Sequence, residues 1–296
     1  MLDSSLKVVY LKKTISSNSL IDTAEEQGYF EQNGVKLEMV LAKQAHLPLL
    51  LAKRADISAI LITSALNAFL NNHNVKWLAS TNNYNPTFFI VSRFPKAELK
   101  SVRKVGIVNK GGGDHLLMQT ILLNMGLNIS NLEYVEVIEE AQRAKLLSEG
   151  KIDLAFINYK KNREEPEAKG CISINPRELF EDLCIPHGIV STKDALEQKG
   201  EAVKGFVKSI YQAIQYNDTN GDEVITSFKE EYGLSELSAA SLYQDIIDSR
   251  ANFSYVPKQD ISKLVKLVSS ITRPANPQRN LRDFAFKDFA REAITR

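Results

Sequence analysis

The stretch from Ala24 to Asp56 limits the fold more than any other. Gly28 follows Ala24-Glu25-Glu26-Gln27 where a helix end needs a left-handed residue, and Gly34 does the same for the next turn. Val35, Leu37 and Met39 then alternate with Lys36 and Glu38, which is the pattern of a strand with one buried face. Leu49 to Arg54 is a short apolar helix, and Ala55-Asp56-Ile57 starts another strand. Helices and strands alternating over so short a distance predict an α/β sheet built from βα units.

The same alternation continues along the chain. Leu6 to Leu11 is an apolar strand, and the polar segment Lys12 to Ser19 leads into a helix over Leu20 to Gln27, with Ser17, Asn18 or Ser19 as its N-cap. Ile57 to Ile62 is apolar throughout, as a strand covered on both faces would be. It ends at Thr63-Ser64, which open a helix over Ala65 to Leu70. Val75 to Ala79 is a strand followed by the loop Ser80 to Pro86, and Phe88 to Val91 is a strand leaving the first lobe. A second series runs from Lys104. It has a Gly-rich loop at Asn109 to Asp114, a helix over His115 to Met125, strands at Tyr134 to Ile138 and Leu154 to Ile157, and a helix over Glu139 to Glu149. Lys160 to Lys169 reads as a solvated loop or a helix start. His187 to Ser191 is a strand that returns to the first lobe, and beyond Asp194 the spacing is helical, ending in an amphipathic helix over Leu281 to Ile294. The expected lobes are therefore 1–93 with 187–296, and 94–186.

The two series echo each other. Superposing Asp56 on Asp153 aligns Leu50 with Leu147 and Arg54 with Lys151. A net charge of +1 gives no electrostatic reason to expect nucleic acid as a partner. Two cysteines, Cys171 and Cys184, are too few for a disulfide framework; a single disulfide or two buried thiols fit. His46, His73 and His187 lack the i, i+4 spacing of a metal pair, so neither a metal nor another cofactor is expected. No secretory signal precedes Lys7, and no apolar run is long enough to span a membrane.

Ala24-x-Glu26-x-Gly28-Tyr29-Phe30-x-x-x-Gly34, the following strand, the Leu-rich helix and the Ala-Asp-Ile start together resemble the solute-binding proteins of ABC importers for taurine, alkanesulfonates, nitrate and thiamine pyrimidines. The resemblance covers nearly the whole chain. It implies a type II periplasmic-binding-protein fold: two α/β lobes with a cleft between them and a helical C-terminal third. It implies capture of a small molecule for an ABC permease, by a periplasmic or extracytoplasmic monomer, although a native start at Met1 would make it cytoplasmic. The family usually has Gly three residues before each of the two aspartates. Gly150 follows this pattern and Lys53 departs from it.

Loops that end parallel strands line ligand sites in open α/β sheets. The expected contacts are Ser16, Asn18, Gln44, Thr63, Ser64, Asn83 and Tyr84 in the first lobe. In the second they are Gly112, Gly113, Asp114, His115, Asn158 and Tyr159. Gly111-Gly112-Gly113 frees backbone N–H groups at a helix start, but Asp114 would cap that start and repel an anion. These loops carry Lys12, Lys13, Lys43 and Lys110 but no Arg, so a neutral or amine-bearing polar solute is expected over sulfonate or nitrate. Enzymes of this fold include a pyrimidine synthase with a Cys-rich motif and a sulfinate hydrolase with an early Cys nucleophile. This chain has neither feature, nor an evident nucleophile–base pair, so no enzyme is expected. The alternatives are a catalytic relative of the same fold and a ligand-sensing domain.

Overall fold

The structure, a computed structural model, describes residues 5–10, 15–41, 46–83, 89–108, 110–157, 160–175, 185–254, 256, 258–285 and 289–295, with the backbone alone at 15–18 and 160–161. The chain divides into two compact units, Met1–Pro86 with Ile185–Arg296, and Thr87–Cys184.

The first unit contains β1 (Ser5–Tyr10), α1 (Ile15–Glu26), α2 (Tyr29–Gln32), β2 (Lys36–Leu41), α3 (His46–Leu51), β3 (Ile57–Leu61), α4 (Ile62–Leu70) and β4 (Val75–Asn83). Its strands lie in the order β2-β1-β3-β10-β4, where β10 is Pro186–Thr192. β1 pairs in parallel with β2 and β3, and β10 runs antiparallel to β3 and β4. Helix α8 (Lys193–Thr219) buries Val203, Phe206, Val207 and Ile210 in a core shared with Leu6, Val8, Ile21 and Phe30. The aromatic rings of Phe30 and Phe206 stack at 5.3 Å. Helices α9 (Gly221–Tyr232), α10 (Glu236–Asp248), α11 (Lys258–Thr272) and α12 (Phe289–Thr295) complete the unit.

The second unit contains β5 (Ile90–Ser92), β6 (Lys104–Ile107), α5 (Gly113–Asn124), β7 (Glu133–Glu136), α6 (Glu140–Ser148), β8 (Leu154–Phe156), α7 (Lys160–Ala168) and β9 (Ile172–Ile174). Its strand order is β7-β6-β8-β5-β9, with β6 parallel to β7 and β8, and β5 antiparallel to β8 and β9. The two sheets therefore share one plan. Three parallel strands are followed by an antiparallel strand, here β10 or β5, and a further strand closes the sheet. The order reverses at β1/β3 and at β6/β8, and ligands of open α/β sheets bind at such reversals.

Several expectations need correction. The unit boundaries fall at 86/87 and 184/185, not at 93 and 187, because β5 pairs wholly within the second sheet. Helix α1 starts at Ile15, so Ser16, Ser17, Asn18 and Ser19 are helical and none is an N-cap outside the helix. β4 continues through Ser80–Asn83, where a loop was expected. Backbone bonds from Ser80 N to Phe253 O and from Asn83 N to Ser249 O hold this edge extended. Of the two alternatives for Lys160 to Lys169, the helix is the one found: Lys160–Ala168 is helical, with Pro166 inside it. The final helix is shorter than the amphipathic pattern implies. Trp77 N donates to Phe284 O, and Ala285 bridges to Trp77, so this segment serves as an extended partner for the edge of β4. Cys171 is buried and free, and Cys184 lies outside the described residues. Among the described residues no helix is long and apolar enough to cross a membrane.

Candidate functional site

A pocket in the first unit opens at the β1/β3 reversal. It is lined by Val8, Ile57, Ser58 and Ala59 of β1 and β3, by Thr81, Asn82, His187 and Ile189 of β4 and β10, and by Ser19, Leu20, Ile21, Phe206, Ile210, Ile246 and Arg250. The lining is mostly apolar, with polar groups at Ser19, Ser58, Thr81, Asn82, His187 and Arg250. Many of these polar groups are already paired. Thr81 Oγ1 donates to His187 O at 3.1 Å, and Asn82 Nδ2 donates to Ser249 Oγ at 3.1 Å.

Two histidines stand at this end of the sheet. His46 Nδ1 lies 3.1 Å from Ala59 O and 3.3 Å from Ser58 Oγ. A carbonyl can only accept, so Nδ1 carries the proton. Burial pushes the His46 pKa down to about 4, against a smaller upward effect of the Ala59 bond. Burial, and then the charge of His46, pushes His187 down to about 3. Both imidazoles are neutral at pH 7, because a low-polarity interior disfavours the charged form.

Arg250 follows α10 and pairs antiparallel with Asn82 on the edge of β4. Its Nε donates to Asp218 Oδ1 at 3.0 Å, which fixes the plane of the guanidinium. Nη1 and Nη2 are buried and have no hydrogen-bond partner among the described residues. A buried donor without a partner costs on the order of 1–3 kcal/mol, and more when charged. The free edge of Arg250 is thus the most energetically demanding feature of the pocket.

The Gly-rich loop of the second unit is held by its own side chains. Asp114 Oδ2 accepts from Val108 N at 2.7 Å, so this carboxylate reaches back to the strand end, and the backbone N–H groups of Asp114 and His115 in the first turn of α5 also bond to it. The N-cap residue is Gly112, which provides no side-chain cap. Burial raises the Asp114 pKa, against lowering by the Val108 bond and by Arg143. His115 Nδ1 accepts from Gly111 N at 2.8 Å, which places the ring proton on Nε2. Its ring meets Tyr134 edge-on at 4.5 Å, and burial lowers its pKa. Arg143 is buried and donates to Val137 O, Ile138 O and Phe156 O, tying together the segments that end β7 and β8.

The sequence-predicted residues are scattered by this geometry. Ser16 and Asn18 lie on the first turns of α1, with their side chains outside the described set, and Ser19 of the same turn lines the pocket. Gln44, Tyr84, Asn158 and Tyr159 lie outside the described residues. Thr63 and Ser64 are inside α4 and buried, and neither lines the pocket. Asn82 lines it and Asn83 does not. Gly112, Gly113, Asp114 and His115 do lie together, as the N-cap and first turn of α5. Sequence reasoning missed Ser58, Thr81 and Arg250, and weighed His187 only as a metal ligand. Burial at a strand end could have flagged His187. No local signal marks Arg250, which reaches the sheet only through the folding back of α10.

The fold is that of the type II periplasmic binding proteins. A protein from Bordetella bronchiseptica RB50 superposes with a TM-score of 0.79 at 15% identity, over 99% of this chain and 98% of that one. The alkanesulfonate-binding protein SsuA from Xanthomonas axonopodis pv. citri, bound to MOPS, gives 0.71 at 15% identity over 92% and 94%. The zinc-bound ligand-binding component of an ABC-type import system from Staphylococcus aureus gives 0.70 at 17% identity over 98% and 98%. No curated protein sequence matches significantly. The family described as NMT1/THI5 like matches residues 19–223, and the chain belongs to that family.

Proposed function

We propose that the chain is a solute-binding protein that captures a small organic molecule and delivers it to an ABC importer, working outside the cytoplasm as a monomer. The supporting observation is the place of the first unit's pocket, at the β1/β3 reversal where open α/β sheets take their ligands, with a mostly apolar lining that carries a few polar groups; its cavity of about 30 Å³ has to widen to admit a solute. The Staphylococcus and Xanthomonas proteins are named for binding roles of this kind. Gly112, Gly113, Asp114 and His115 remain proposed contacts. Asp114 and His115 spend their described bonds within the loop, which leaves the His115 Nε2–H as the group with hydrogen-bonding capacity to offer.

Binding is favoured over catalysis by the state of the candidate nucleophiles. Ser58 approaches His46 Nδ1, but that nitrogen donates to Ala59 O and has no lone pair with which to take a proton from Ser58. Burial raises the Cys171 thiol pKa, the opposite of activation. Native mass spectrometry of freshly purified protein is expected to show a retained small molecule that is lost after unfolding and refolding and recovered unchanged on re-addition. Recovery of a chemically altered compound would point to an enzyme, and absence of any bound or rebinding compound would overturn the reading.

A further inference from the structure

The expectation of a neutral or amine-bearing solute rested on loops without arginine. The pocket nevertheless contains one, supplied from the C-terminal helices. Arg250 is only 16% exposed in its side chain, and Asp218 occupies its Nε and leaves the Nη1/Nη2 edge bare. Arg250 lines the pocket together with Thr81, Asn82, His187 and Ser19. We propose that the solute held here carries a carboxylate, and that the free edge of Arg250 binds it through two parallel hydrogen bonds. This rests on the solute-binding reading and assigns the chemical class of the solute.

Three features favour this class. The guanidinium edge is a planar two-donor fork whose geometry matches the two oxygens of a carboxylate. A carboxylate is satisfied by the fork alone, whereas a group with three equivalent oxygens needs a further donor, and two of the polar groups in the lining are committed. Thr81 Oγ1 donates to His187 O and Asn82 Nδ2 to Ser249 Oγ. Two neutral histidines leave Arg250 as the full positive charge among the described lining residues, partly balanced by Asp218, which suits a single negative charge. Much of the remaining lining, Leu20, Ile21, Ile57, Phe206, Ile210 and Ile246, is apolar. The solute is therefore a carboxylate on a compact apolar body, such as a short aliphatic or single-ring acid.

Isothermal titration calorimetry with benzoate and hexanoate tests this, each compared with its amide and with the sulfonate of the same body, on the wild type, Arg250→Ala and Arg250→Lys. At least one carboxylate is expected to bind tenfold or more tighter than its amide. Arg250→Ala is expected to weaken that carboxylate by about 10- to 100-fold and leave the amide within threefold. Arg250→Lys should recover part of the loss, because lysine restores charge but not the fork. If the alanine variant does not fold, the lysine variant must still show a loss. Failure of both carboxylates to bind, carboxylate affinity unchanged in either variant, or a sulfonate or amide preferred over its carboxylate would each overturn the proposal. In those cases, a small molecule retained in native mass spectra would leave the solute-binding reading standing, and its absence would remove both.

Discussion

The two units solve one local problem with different residues. In the second unit, Gly150, whose φ is 69°, turns the chain just after α6, and Asp153 immediately precedes the next strand. In the first unit the corresponding residue is Lys53, and its φ of 56° is in the same left-handed region. The departure from the family's glycine therefore leaves the turn geometry intact. The aspartates that follow do the same work. Asp56 N donates to Lys7 O while Asp56 Oδ2 accepts from Lys7 N, closing a two-bond ring with the first strand of its sheet. Asp153 N donates to Lys104 O, and Asp153 Oδ2 accepts from both Arg103 N and Lys104 N. Each aspartate also meets a cation, Lys199 at 2.9 Å from Asp56 and Arg93 at 3.1 Å from Asp153. The motif specifies a backbone path and a carboxylate. Glycine is the unstrained way to follow that path, and lysine follows it under strain imposed by the surroundings.

The largest expected effect is on the carboxylates. Asp153→Ala removes the acceptor for two backbone N–H groups and the Arg93 partner. It should destabilise by about 2–4 kcal/mol, against about 1–3 kcal/mol for Asp56→Ala, which strands one N–H instead of two and likewise leaves its cation, Lys199, without this carboxylate. Urea denaturation of both variants checks the order, and equal losses would break the comparison. Gly150→Ala comes next, at about 1–2 kcal/mol, because alanine disfavours φ of 69° and its Cβ would lie 3.2 Å from Arg93 Cζ. Lys53→Gly should act in the opposite sense and stabilise by about 0.5–1 kcal/mol, relieving the left-handed strain at some cost in unfolded-chain entropy. A rise in denaturation midpoint would confirm it, and a fall would mean that the Lys53–Asp194 contact outweighs the strain.

The smallest effect concerns a feature of the first unit, the carboxyl contact between Glu231 on α9 and Glu26 on α1. Burial, then the hydrogen bond to Glu26 and the charges of Glu26 and Asp22, raise Glu231 to about 7. A raised acid binds its proton more tightly when folded. Its contribution is therefore present below about pH 4.5 and is lost as pH rises through about 7. Glu231 is exposed, so solvent screening limits the effect to less than about 1 kcal/mol. Glu231→Gln should flatten the fall of melting temperature between pH 5 and 8, and an unchanged slope would place the titration elsewhere.

Much of the fold was legible because it depends on short-range pattern. The alternation of Val35, Leu37 and Met39, the left-handed glycines 28 and 34, and the paired Asp56 and Asp153 turns each follow from neighbours within a few residues. Gly28 and Gly34 take φ of 69° and 68°, as the turns require. Element ends were less legible. β4 runs on to Asn83 and the last helix is cut short because each borrows hydrogen bonds from the other end of the chain, at Ser249, Phe253 and Phe284.

The candidate site was the least legible part. Thr63 and Ser64 have the right chemistry at a strand end, yet α4 begins at Ile62 and turns both into the interior. Asp114 looked like a helix cap, but the 2.7 Å bond from Val108 N also ties it back to the strand. Arg250 has no local mark of function at all. Residue order determined which segments form strands and helices, since propensity and burial pattern act over a few residues. Which polar groups are left without partners in a pocket is decided only when α10 folds its end against β4, because satisfaction of a hydrogen bond depends on everything within about 3 Å in space, whatever its distance along the chain.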